Sequence, residues 1–125
     1  MTSLLLVIAG LMGAAGITVA ALGAHAYLGA GLDSAGYILL FHAAAVLGAV
    51  AAIDRGLLMR TIGLLATVGL VIGSLLFAGD VVLPIYAGFG LFPMAAPTGG
   101  VILIVSWIGL ALAAAIRPAT TTTTA

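Results

Sequence analysis

Three side chains stand out as able to do chemistry in an otherwise inert chain: His25, His42 and Asp80. An imidazole can move protons or ligate a metal, and a carboxylate can assist either task. Ionisable groups inside or beside a membrane are costly enough to be functional candidates by default. Three uses compete for them. The imidazoles can hydrogen-bond backbone carbonyls or Asp80 and pin helices together, which satisfies polar groups that water cannot reach. They can form a proton relay or small-solute site. They can hold a metal or haem, but paired-histidine haem wants two imidazoles at similar depth, and zinc wants a third or fourth ligand for which Asp80 is the only obvious choice. The pinning role ranks first, and no metal or other cofactor is expected.

The remaining polar groups suggest less. Thr18, Thr67, Ser74 and Ser106 lie in apolar runs, where a hydroxyl bonds back to its own helix. No base adjoins either serine, so a nucleophilic role has no support. Trp107 reads as a packing residue whose indole N–H bonds a neighbouring helix. Pro97-Thr98-Gly99-Gly100 reads as a helix start that permits close backbone contact. A phosphate-cradling loop there would need a lysine or the Walker spacing, and has neither.

Composition determines what must position these groups. Of 125 residues only six are charged, 65% are hydrophobic, and mean hydropathy is +1.45. Soluble domains carry about a quarter charged residues, so this chain has too little polar surface to cover a water-soluble globule. A soluble enzyme, a nucleic-acid binder and a disordered tail are excluded. Formal net charge is zero and there are no cysteines, so neither nucleic acid nor disulfides enter the reading. A helical span needs about 20 apolar residues, and continuous runs such as Leu4-Leu5-Leu6-Val7-Ile8 exclude the alternation of a β-barrel. The expected fold is an all-α integral membrane four-helix bundle.

The spans are expected at 3–24, 35–53, 61–79 and 98–116, in one domain covering 1–117, with a Thr-rich tail at 118–125. A secretory signal is the competing reading of the first span, since Ala24-His25-Ala26 resembles a cleavage site. Met1-Thr2-Ser3 lacks a positive charge and the apolar run is too long, so the helix is taken as retained. Asp33 or Ser34 is the expected N-cap of the second span. Val81 to Pro97, with Pro84, Pro93 and Pro97 among Tyr86, Phe89 and Phe92, reads as a loop partly embedded in the interface. Arg55 and Arg60 fall in the second connection and Arg117 after the fourth span. All three mark one face, which the positive-inside rule makes cytoplasmic together with both termini. His25 and Asp80 then lie at the outer side, with His42 about two turns, roughly 10 Å, into the second span. The three groups are expected to converge there.

Lipid tails are as apolar as leucine, so close contact through small residues must hold the helices together. Gly16, Ala20 and Ala24, then Ala44, Gly48 and Ala52, offer such spacing, followed by Gly69 and Gly73, and Gly109 and Ala113. These faces suggest a non-enzymatic accessory or scaffolding subunit that packs against other membrane proteins or copies of itself. The alternatives are a small transporter or proton conductor using His25, His42 and Asp80, and then a metal or haem protein.

In their order along the chain, Gly23-Ala24-His25, Phe41-His42-Ala43, Gly73 through Phe77-Ala78-Gly79-Asp80, and Pro97-Thr98-Gly99-Gly100 followed by Trp107 resemble a family of small bacterial and mitochondrial membrane proteins, domain of unknown function 423. The resemblance covers nearly the whole chain except the Thr-rich tail. It implies a four-helix integral membrane protein with no established activity, in keeping with a bacterial inner membrane. It supplies His25, His42 and the Pro97, Gly99, Gly100 turn as motif positions without roles. This chain departs from the family pattern at Ala78, Val81, Val82 and Ser106, and in the long, proline-rich segment from Val81 to Ala96.

Overall fold

A computed structural model describes residues 1–116 and contains four helices: α1 (Thr2–His25), α2 (Leu32–Asp54), α3 (Arg60–Tyr86) and α4 (Ala95–Ala115). Arg117 and the tail at 118–125 lie outside the described residues. The helices are apolar on all sides, as lipid-solvated spans are. The shortest has 21 residues, about 31 Å at 1.5 Å per residue, enough for the hydrocarbon core. All four are long and apolar enough to cross a membrane.

The boundaries depart from the sequence expectation mainly at one end of the molecule. Helix α3 does not stop at Asp80 but continues through Val81 and Pro84 to Tyr86, so the Val81 to Pro97 loop shrinks to 87–94. Pro84 sits in the last turn, where it removes one hydrogen bond, the one to the Asp80 carbonyl, before the helix ends anyway. Helix α4 starts at Ala95, ahead of Pro97. Helix α2 starts at Leu32, and its N-cap is Gly31 at φ 77°, a left-handed conformation that favours glycine. Neither Asp33 nor Ser34 caps it. Ser34 Oγ instead donates back to the Gly31 carbonyl at 2.7 Å.

The helices pack in chain order, α1 on α2, α2 on α3 and α3 on α4, with a slight contact between α1 and α3. Helices α1 and α4 make no extensive contact, so the bundle is open on one side. The inner pair, α2 and α3, bury 44% of their most apolar stretch, and the outer pair only 22%. The core runs through Leu39, Val46 and Val50 of α2 and Leu70 and Val71 of α3, with Leu5, Ala9 and Met12 closing over it from α1.

Two hairpins, α1–α2 and α3–α4, close by the same device. Gly36 and Gly99 each stand one turn inside the second helix of their hairpin. A Cβ at Gly36 would lie 2.6 Å from the Ala20 backbone nitrogen, and a Cβ at Gly99 would lie 2.6 Å from the Gly73 carbonyl. Gly16 and Gly73 reciprocate, each seated on the carbonyl of the partner glycine and on Leu40 or Leu103 respectively. Backbones this close gain dispersion contacts where no water-driven force acts between helices.

Candidate functional site

Among the expected packing residues, Gly16, Ala20, Gly69, Gly73, Gly109 and Ala113 face other helices of the same chain. Gly69 lies against Ser106 and Gly109 against Ala66, and the buried Ala113 offers its carbonyl to the Met59 N–H at 2.8 Å. Ala24, Ala44 and Gly48 point away from the chain's own helices and are exposed. Nothing lies within 4 Å of a Cβ built on Gly48. Helices that are apolar all round carry no periodicity to separate inward from outward small residues, so spacing alone does not say that these three face away from the chain.

The structure gives His25, His42 and Asp80 separate surroundings rather than a shared site. His25 is exposed at the last residue of α1. Asp80 faces the loop before α4: its Oδ2 accepts from the Ala96 N–H at 3.0 Å and its Oδ1 from the Leu91 N–H at 3.4 Å. Ala96 is in the first turn of α4, where backbone N–H groups lack partners within their own helix. The N-cap itself, Met94, supplies no side-chain bond and sits at φ 71°. Asp80 therefore caps α4 from the neighbouring helix, and its negative charge sits favourably at that helix's N-terminus.

His42 is the one buried titratable side chain among the described residues, with 8% of its surface exposed. It lies ten residues into the 23-residue α2, near the middle of that helix and further along it than the two turns expected, because α2 begins earlier. Its Nδ1 donates to the Ile38 carbonyl at 2.7 Å, one turn back on the same helix. Its Nε2 accepts from the Trp107 indole N–H at 3.3 Å. Because a carbonyl can only accept and an indole N–H can only donate, the ring carries its proton on Nδ1. The two rings meet edge to face, 6.3 Å between centroids and 61° between planes. Trp107 stays half exposed toward lipid. This pair bridges α2 and α4, which lie on either side of α3.

The hydroxyls bond back along their own helices, Thr67 to Gly63, Ser74 to Leu70 and Ser106 to Ile102, at 2.6–2.8 Å. Among the described residues no buried side-chain nitrogen or oxygen lacks a partner, and no group of three or more His, Cys, Asp or Glu could hold a metal ion. Among these groups His42 joins α2 to α4 through Trp107 and Asp80 caps α4, while the hydroxyls bond within their own helices.

Two contributors escape sequence reading. Gly36 has no small residue at i+4, so a small-x-x-x-small search passes it over. The partner of Trp107 lies 65 residues away, and an indole's need for an acceptor does not say which one. The fold and these interactions define a small four-span integral membrane protein in contact with the lipid bilayer. Comparison with family models, with curated proteins and with solved structures finds no match to this chain.

Proposed function

We propose that the chain is a non-enzymatic accessory or scaffolding subunit, meeting other membrane proteins or further copies of itself through the helix faces its own fold leaves bare. The observation that carries this reading is the division between inner and outer helices. α1 and α4 bury only 22% of their apolar stretch, while among the described residues no buried side-chain nitrogen or oxygen lacks a hydrogen-bond partner. Bare faces on α1 and α2 present Ala24, Ala44 and Gly48, small residues that allow close approach by another helix. The glycines of the α3–α4 hairpin are engaged internally, so they add nothing to this argument.

Conduction through His25, His42 and Asp80 has weaker support, since His42 uses both ring nitrogens on protein partners and Asp80 accepts from backbone. The sequence resemblance to domain of unknown function 423 accords with a small membrane protein of this shape. Arg55 in the 55–59 turn and Arg60 at the start of α3 argue by the positive-inside rule for a cytoplasmic placement of that turn and the termini, in a bacterial inner membrane. Purification in mild detergent followed by mass spectrometry tests the subunit role. A defined complex or oligomer is expected, and a lone, monodisperse monomer with no co-purifying protein would overturn it.

A further inference from the structure

The open side of the bundle holds a feature the subunit role does not use. Helices α1 and α3 stand apart over α2, and between them runs a cleft of about 450 Å³. Its walls are Ile8, Ala15 and Val19 of α1 and Leu75 and Val82 of α3, with Leu39 of α2 as the floor. That volume falls within the range of ordinary ligand sites, about 300–1,000 Å³. Every lining side chain is apolar, so a ligand would have to be a hydrocarbon over the length of the cleft.

The cleft also has a direction. From Ile8 to Val19 is eleven helical steps, about 16 Å, close to half of a hydrocarbon core about 30 Å thick. On α1 it is central, with Ile8 and Val19 each six residues from a helix end, whereas on α2 and α3 its lining, Leu39 and Leu75 to Val82, lies toward the end of the bundle where α1 finishes at His25 and α3 at Tyr86. Along α3, Leu75, Gly79, Val82 and Tyr86 follow one another at helical spacing, so the lining stripe leads up to Tyr86. There Tyr86 meets Tyr27 edge to face at 5.5 Å between centroids, just past His25. An apolar slot about half a hydrocarbon core long, whose α3 wall ends one turn short of the Tyr27–Tyr86 pair, is complementary to an acyl chain whose polar end reaches those phenols.

We propose that this cleft is a binding site for one acyl chain of a phospholipid from the leaflet on the His25 side, with the headgroup phosphate beside Tyr27, Tyr86 and His25. The lipid replaces the packing that a direct contact between α1 and α3 would supply. The site stands independently of the subunit role, because a monomer would carry it equally well.

Native mass spectrometry tests it on the full chain, reconstituted with phosphatidylglycerol and extracted into mild detergent. The wild type is expected to retain one lipid after prolonged washing. Ala15→Phe and the smaller Ala15→Ile fill the slot and are expected to lose it. Ala14→Phe, on the exposed side of α1, is expected to keep it. Thermal unfolding of each variant separates a filled cleft from a failed fold, and Tyr86→Phe, which removes a head-end donor without filling the slot, is expected to weaken retention. A wild type that retains no lipid, a lipid-free dimer in its place, or folded Ala15 variants that retain lipid like wild type would overturn the proposal.

Discussion

Replacing Gly36 with alanine asks one of the tightest backbone approaches among the described residues to accommodate one methyl group. The added Cβ would stand 2.6 Å from the Ala20 nitrogen, 2.7 Å from its Cβ and 2.8 Å from its Cα, whereas ordinary van der Waals contact begins at 3.4 Å. All three atoms belong to the main chain of α1 or to its Cβ, so no flexible side chain can turn aside and the helices must separate. A gap of 0.5–1 Å forfeits about a quarter to a half of each dispersion contact. Overpacking ordinarily costs about 1–3 kcal/mol, and with backbone as the obstacle the cost belongs near 3 kcal/mol. Gly48→Ala provides the opposite case on the same helix. Nothing lies within 4 Å of its Cβ, so only the gain in helix propensity remains, up to about 1 kcal/mol of stabilisation. Helical circular dichroism during denaturation in mixed detergent micelles measures both. The two changes must have opposite signs; a Gly36→Ala protein as stable as wild type would refute the packing of α1 on α2 described here.

Further outcomes follow from the polar contacts and the topology. In a double-mutant cycle, His42→Leu and Trp107→Phe should couple by about 0.6 kcal/mol and by no more than about 1.7 kcal/mol, the average and upper value for interhelical hydrogen bonds in membranes; independent effects would mean that the bond is not made. Asp80→Ala should cost about 1–2 kcal/mol through loss of the α4 cap, and Met94→Gly should recover roughly 1 kcal/mol by relieving a left-handed non-glycine residue, both read by the same denaturation assay. The chain has no cysteine, so single cysteines at Ala30, Leu57 and Ala87 can be labelled without background. An impermeant maleimide should reach Ala30→Cys and Ala87→Cys from one side of sealed vesicles and Leu57→Cys from the other.

How much could be read from residues alone depended on the kind of interaction. Hydrophobic runs and the polar, glycine- or proline-rich breaks between them located four helices, because burial in lipid demands about 20 apolar residues whatever their order. Helix ends were less legible. Asp80 and Pro84 look like terminators, yet α3 runs past both, because the Asp80 carboxylate finds backbone donors on the loop and α4 that no local pattern reveals. Spacing identified Gly16 and Ala20, but it equally selected Ala44 and Gly48, which face outward. The histidine pair divided for a similar reason. His25 and His42 share a residue type, but their burial depends on which helix lies opposite, and only the fold sets Trp107 across from His42.

The central claim is that the outward faces of α1 and α4 are contact surfaces for other membrane polypeptides. Photo-crosslinking amino acids placed at Ile17 on α1 and Ile108 on α4, both exposed, test it in intact membranes without extraction. Crosslinked products of one or a few discrete protein masses, formed from at least one of these positions, are predicted. Adducts with lipid alone at both positions would contradict the account.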